Sequence, residues 1–290
     1  MTTSTSGAKP SILIYGNCQG EHIGHVAQYL PGLRDKFDLK VVALHVVTPR
    51  DWDTLYTEAF FADVTVVWNQ VESGEPTANR KILESRIPPG CQVVKYPPLS
   101  ILCLWPFSGA DPRQAVRNED FYPWPDSIAA SLANEDLSDD ALFDRYMQLS
   151  SEKMPDLNRR LRIDGMRGKA TDALADIPIW DWVEENFRTR RLFHTSSHLT
   201  ALPTGHLLKE LIARTEGLTA GEILRARQET DFLLRHYRGQ DVEMMPIHPL
   251  VAERLGLTWY DPDQRYRWHG HEWTFRDYLL KYIRWEPYLR

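Results

Sequence analysis

The chain has 290 residues, 42% of them hydrophobic and 26% charged, enough to bury a sizeable core. That composition excludes a disordered chain, a collagen-like repeat and a disulfide-stapled miniprotein. Its 34 basic and 40 acidic side chains give a net charge of −6. This argues against a general nucleic-acid binder, though a local basic pocket stays open.

Residues 1–10 are small and polar, with no basic segment leading into an apolar one. We expect a disordered tail there and no signal peptide. The longest uncharged stretch, Tyr96 to Ala110, contains Pro97, Pro98 and Pro106 and is too short to span a bilayer. The three cysteines, Cys18, Cys91 and Cys103, are an odd number and read as reduced thiols. Together these point to a cytoplasmic protein without a transmembrane segment.

Residues 11–110 carry a repeating pattern. Short apolar runs occur at Ile12 to Tyr15, Val41 to Leu44, Val64 to Trp68 and Val93-Val94, spaced by about 25 residues. Continuous rather than alternating hydrophobicity predicts strands covered on both faces. Between the first two, Ile23, Val26, Ala27 and Leu30 recur at helical steps. This alternation predicts an α/β half of Rossmann-like or SGNH-like type, with a parallel, doubly wound sheet of about four strands.

Over 111–290 the strand runs stop, and a mostly helical half is expected to pack on the sheet as one compact unit. Ser150 to Lys169 is rich in arginine and lysine, including Lys153, Arg159, Arg160, Arg162 and Arg167. It reads either as an exposed helix or as an anion-binding rim. Ile179, Trp180, Val183 and Phe187 form one helical face behind Pro178, a good first-turn residue. Thr219 with Glu222 predicts a capping box ahead of Ile223, Leu224, Phe232 and Leu233. Thr274 with Asp277 predicts another, ahead of Tyr278, Leu279, Tyr282 and Ile283.

The most informative stretch is Gly16-Asn17-Cys18-Gln19-Gly20, directly after the first strand. In an open α/β sheet, ligands bind outside the carboxyl ends of the strands. The loop leads into a helix whose free N–H groups attract anions, and its glycines let backbone approach a ligand closely. A thiol at such a helix start is favoured as thiolate. Cys18 is therefore either a nucleophile or a pocket-lining residue, or the turn needs only a small residue there. His22 follows at four residues and His25 at seven, on the same helix face, so His22 is a candidate base for the thiol.

A second cluster runs from Arg190 and Arg191 through His194, Ser196 and His198 to Thr204-Gly205-His206, read as a helix start. Arginines and hydroxyls there can clamp a phosphate, and His198 can act as general base from its loop. His269-Gly270-His271 has metal-ligand spacing, but no cysteine or carboxylate completes a set, so no metal is expected. Phosphate-binding P-loop, dinucleotide and G-x-S-x-G patterns are absent from the sequence.

The opening Ile12 to Gly20 resembles the start of the WcbI-type proteins of bacterial capsule and polysaccharide biosynthesis. The resemblance continues through Tyr96-Pro97-Pro98-Leu99, Leu104-Trp105-Pro106-Phe107, Phe193 to His198, Pro246 to Val251 and Tyr278 to Tyr282. After His198 it leads one to expect a proline, where this chain has Leu199-Thr200. It implies a coenzyme A-dependent O-acetyltransferase using acetyl-coenzyme A and a sugar or polysaccharide-precursor acceptor. Gly16, Asn17, Cys18 and Gln19 would line the pocket, with His198 as a second contributor. The catalytic candidates are Cys18, His198 and His22. Gly16, Asn17, Gln19, Gly20, Arg190, Arg191, Ser196 and Lys209 are the candidates for holding coenzyme A. An SGNH-like ester hydrolase and a non-catalytic glycan- or nucleotide-binding protein are the alternatives, and the oligomeric state is left open.

Overall fold

The computed structural model describes residues 9–117 and 122–286. The tail expected over 1–10 lies outside these apart from Lys9 and Pro10. In chain order the elements begin β1 (Ser11–Gly16), α1 (Cys18–Ala27), α2 (Pro31–Arg34), β2 (Asp38–Ala43), α3 (Pro49–Thr54) and α4 (Glu58–Phe61). They continue with β3 (Val64–Gln70), α5 (Ala78–Arg86), β4 (Gln92–Tyr96), α6 (Pro112–Arg117), α7 (Ser127–Ser131) and α8 (Asp139–Glu152). Then come α9 (Leu157–Asp172), α10 (Trp180–Asn186), α11 (Ala201–Arg214), α12 (Ala220–Leu234) and α13 (Pro249–Leu255). The hairpin strands β5 (Tyr266–Trp268) and β6 (His271–Trp273) and helix α14 (Phe275–Arg284) close the chain.

Contacts group these into two compact units. One comprises Met1–Leu99, Gly168–Asp181 and Ala201–Gly239; the other comprises Ser100–Arg167, Trp182–Thr200 and Gln240–Arg290. In the first unit four parallel strands run in the order β2-β1-β3-β4. This is the α/β, doubly wound architecture expected of the four apolar runs. Every residue of β1 is buried, as a central strand covered on both faces requires. The strand order reverses between β1 and β3, so the crevice beyond their carboxyl ends is the switch point of the sheet. β3 extends two residues past its apolar run, to Asn69 and Gln70, which places two buried carboxamides at that crevice.

Two helices of this unit depart from the sequence reading. Thr219 and Glu222 do form a capping box on α12, but Leu224 and Phe232 are 58% and 68% exposed. The buried residues are Ala226 and Thr230, because α12 packs closely. Ala226 lies against Gly32, and a Cβ at Gly205 would meet Leu234 at 2.5 Å. Thr204-Gly205-His206 is no helix start, since α11 begins at Ala201. Pro203 occupies the first turn instead, where its missing N–H costs nothing.

Among the described residues, the regular structure of the second unit is helical apart from the β5–β6 hairpin, a strand pair that carries no long apolar run. His269 and Gly270 form its turn with φ of 45° and 93°, the left-handed pair a tight hairpin demands. Its core is aromatic: Tyr122 stacks on Trp268 and meets Tyr278, Tyr282 and Trp285. Nearby a small cavity of about 40 Å³ is lined by Trp105, Asp126, Tyr146, His248 and Tyr278, among others. Asp126 caps α7 through Ile128 N and Ala129 N, both at 2.9 Å, and accepts the Tyr146 hydroxyl at 2.9 Å. Burial nevertheless pushes its carboxyl up to about 6.

His248 caps α13: its Nδ1 accepts the N–H of Leu250 at 3.1 Å. Nε2 must then carry the proton, which it donates to Ser150 Oγ at 2.8 Å. Burial pushes this imidazole down to about 4. Between pH 6.5 and 4 the unfolded chain therefore takes up a proton that the folded one refuses, and stability falls as pH drops through that window. The shift corresponds to about 3 kcal/mol. His248→Asn keeps a capping oxygen but cannot titrate. It should lower the thermal midpoint at pH 7 and flatten its decline between pH 6.5 and 4. An equally steep decline in the variant would mean that other groups control acid unfolding.

Candidate functional site

The loop after β1 is built from its own polar side chains. Asn17 is the N-cap of α1, with extended backbone, and its Oδ1 accepts the N–H of Gln19 at 2.9 Å. The Asn17 N–H is itself taken by Gln70 Oε1 at 2.8 Å, from the end of β3. Gln19, 1% exposed, makes two bonds with one residue. Its Nε2 donates to Leu99 O at 2.6 Å, and its Oε1 accepts Leu99 N–H at 2.9 Å. The Gln70 amide also reaches Gln19 Oε1 at 3.4 Å. This chain of carboxamides ties the β1–α1 turn to β3 and to the segment after β4.

The flanking glycines are explained by the same packing. A Cβ at Gly16 would lie 2.4 Å from Gln70 Oε1, and one at Gly20 would lie 2.9 Å from the Tyr96 hydroxyl. Both glycines thus admit neighbouring protein side chains, which needs no ligand at all. Arg80, nearly buried, fixes the end of β3 from behind. It bonds Asn69 Oδ1 at 2.8 Å and Gln70 O at 2.5 Å and pairs with Glu72 at 3.0 Å.

Cys18 opens α1 and is half-buried, at the carboxyl edge of the strand-order reversal. The other thiols are committed elsewhere. Cys91 donates to Val64 O at 3.0 Å, and Cys103 donates to the Asp164 carboxylate. Burial pushes both thiols up. His22 sits one turn along α1, with Tyr237 stacked on it at 5.3 Å and the Tyr237 hydroxyl 3.1 Å from its ring nitrogens.

The other predicted residues are spread over both units. Lys209, on α11, pairs with Asp231 of α12 at 2.7 Å. In the second unit, the 192–200 loop is closed by His194 N–H to His198 O at 2.8 Å and Thr200 N–H to Leu192 O at 3.0 Å. Thr195 Oγ1 accepts the His198 N–H at 3.0 Å. Ser196 O accepts Ile101 N–H at 3.0 Å. The His198 ring meets Trp124 edge-on at 5.1 Å, and its Nδ1 faces Glu243 at 4.0 Å. Glu243 also accepts the Trp124 indole N–H at 3.0 Å and binds His269 Nε2 at 2.8 Å. Burial lowers the His198 pKa and Glu243 raises it, with burial the larger effect. The ring is therefore neutral at pH 7, as a general base requires.

The two arginines differ. Arg191 is spent within its own unit, on Phe193 O and Met245 O, both at 3.1 Å, and against the Trp259 and Tyr266 rings. Burial pushes it down to about 10. Arg190 is exposed and has no ion pair among the described residues. Gln70, Tyr237 and Glu243 escaped the sequence reading, because each becomes informative only through its spatial partner. No group of three or more His, Cys, Asp or Glu placed to hold a metal occurs among the described residues. None of the helices described is long and apolar enough to cross a membrane.

The family model for the polysaccharide biosynthesis enzyme WcbI matches residues 11–220. The chain belongs to the WcbI family of polysaccharide biosynthesis enzymes. A solved WcbI structure superposes with a TM-score of 0.72 at 16% identity, covering 96% of this chain and 89% of that one. It is described as the native form of a polysaccharide biosynthesis enzyme, without a disulfide bond between coenzyme A and a cysteine. At that identity the likeness establishes a shared fold. A comparison with curated proteins finds no match.

If the loop is held as described, Gln19→Ala leaves the N–H and C=O of Leu99 buried without partners. Each such group costs about 1–3 kcal/mol, so a loss of about 3 kcal/mol is expected from urea unfolding. A loss below about 1 kcal/mol would show that Gln19 does not anchor the loop.

Proposed function

We propose that this protein is a coenzyme A-dependent O-acetyltransferase, acting on a sugar hydroxyl of a surface polysaccharide or its precursor, as in capsule biosynthesis. The observation that carries the reading is Cys18, a half-buried thiol at the first position of α1 beyond the carboxyl end of a central strand. Membership of a polysaccharide biosynthesis family supports it. So does the description of the similar WcbI structure in terms of coenzyme A and a cysteine.

The acyl transfer runs in two steps. His22, one turn from Cys18, takes the thiol proton, and the sulfur attacks the acetyl thioester, releasing coenzyme A as its thiol. The sugar hydroxyl then attacks the acetyl-cysteine, losing its proton to a histidine base, for which His22 and His198 are the candidates, and the Cys18 thiolate leaves and takes a proton back. Of the donors around the loop, the N–H groups of Asn17 and Gln19 are already bonded. The Asn17 side-chain amide is then the donor for the tetrahedral oxyanion. Of the cations considered for the diphosphate, Arg191 and Lys209 hold other partners.

The test is thermal unfolding with coenzyme A and acetyl-coenzyme A, followed by acetyl transfer to sugar acceptors. Ligand at 100 times its dissociation constant should stabilise the fold by about 2.7 kcal/mol. Cys18→Ala should retain that shift and lose turnover. With His198 as base, the acid limb of kcat/KM falls below the ordinary histidine value of about 6.5. Glu243→Gln should lower the limb further, because the Glu243 charge raises the His198 pKa. The absence of a midpoint shift at millimolar ligand contradicts the coenzyme A reading. Acetyl-ester cleavage without coenzyme A would make the protein a hydrolase, and binding without turnover a recognition protein.

A further inference from the structure

The basic segment 150–169 contributes a groove in the second unit, and nothing in the proposed acyl transfer uses it. Arg159, Arg160, Ile163, Asp164 and Arg167 recur at three- and four-residue steps on one face of α9, and Asp156 precedes its first turn. With Leu102 and Pro155 they line an open groove of about 400 Å³. That is room for a phosphorylated small molecule, whereas the cavity beside Asp126 holds only a few waters.

The two carboxylates in this groove are already engaged. Asp164 is buried and accepts the N–H groups of Leu102 and Cys103, at 2.9 and 2.8 Å. Asp156 Oδ1 accepts the N–H of Arg159 at 2.9 Å, capping the first turn of α9. The guanidinium groups of Arg159 and Arg160 are not matched in the same way. Arg159 and Arg160 have no ion pair among the described residues, whereas Arg214, Arg225 and Arg276 each meet a carboxylate within 3.0 Å. Arg167 lies two turns further along the same face, about 11 Å by helical rise. Arg159 and Arg160, adjacent in the groove and without an ion pair among the described residues, repel each other until an anion enters. A guanidinium fork matches phosphoryl oxygens bidentately.

We propose that this groove binds the diphosphate of a diphosphate-ester ligand, with Arg159 and Arg160 on one phosphoryl group and Arg167 on the other side. Leu102, Pro155 and Ile163 supply an apolar strip for the organic part. Two sources share that chemistry: coenzyme A, which rests on the acyl-transfer reading, and a nucleoside diphosphate sugar, which does not.

Calorimetric titration of the full chain with inorganic pyrophosphate, coenzyme A and UDP-glucose tests this. Pyrophosphate should bind the wild type and lose at least tenfold in affinity in Arg159→Ala/Arg160→Ala. Arg162→Ala, on the same helix but outside the groove, should bind as the wild type. A parallel loss for coenzyme A or for UDP-glucose supports the proposal and identifies the source. Undetectable pyrophosphate binding at millimolar concentration overturns it. So does unchanged affinity in a double variant whose unfolding midpoint matches the wild type, or a pyrophosphate effect that neither organic ligand shares. If the acyl-transfer reading fails instead, coenzyme A does not bind and acetyl-coenzyme A donates no acetyl to Cys18, while pyrophosphate still depends on Arg159 and Arg160.

Discussion

The hydrogen bond from Asn17 N–H to Gln70 Oε1 is the constraint on which the site depends. It joins the turn after β1 to the end of β3, across the place where the strand order reverses. Because Gln70 occupies the space beside residue 16, that residue must be glycine. Because Asn17 is held there, its side chain is free to cap α1 and set Cys18 at the first helical position. Gln19 then locks the same turn to Leu99 through two further bonds. A buried carboxamide network of this kind is stabilising only when every member finds a partner, and these members do so within one unit.

The second unit follows a similar logic with different chemistry. Glu243 gathers the Trp124 indole, His269 and the face of His198, so one carboxylate orders residues from three distant segments. Burial keeps His198 neutral while the nearby carboxylate opposes that shift. The His269-Gly270-His271 spacing belongs to this arrangement. It turns a hairpin and presents His269 to Glu243, which accounts for the motif structurally.

Much of the sheet was legible, because continuous apolar runs mark strands and each of β1 to β4 overlaps one, although the edge strands β2 and β4 are only partly buried. The capping boxes of α12 and α14 were legible too, since their chemistry is local. What the sequence concealed lies in partnerships over long separations. Gln70 stands just past an apolar run and looks like a strand end. Its role appears only when β3 is placed beside β1. Leu224 and Phe232 of α12 are exposed, because close approach at Gly32 and Gly205 selected small residues for its buried face. Arg191 looked like a phosphate clamp, and its carbonyl and aromatic partners are visible only in three dimensions.

The most direct test of the account is alkylation of the native protein, read out per cysteine by peptide mass spectrometry, with and without coenzyme A. Cys18 should react before Cys91 and Cys103, whose thiols burial pushes up. Coenzyme A should protect it. Preferential labelling of Cys91, or a Cys18 rate that coenzyme A leaves unchanged, would contradict the claim that this loop presents a reactive thiol to the acyl donor.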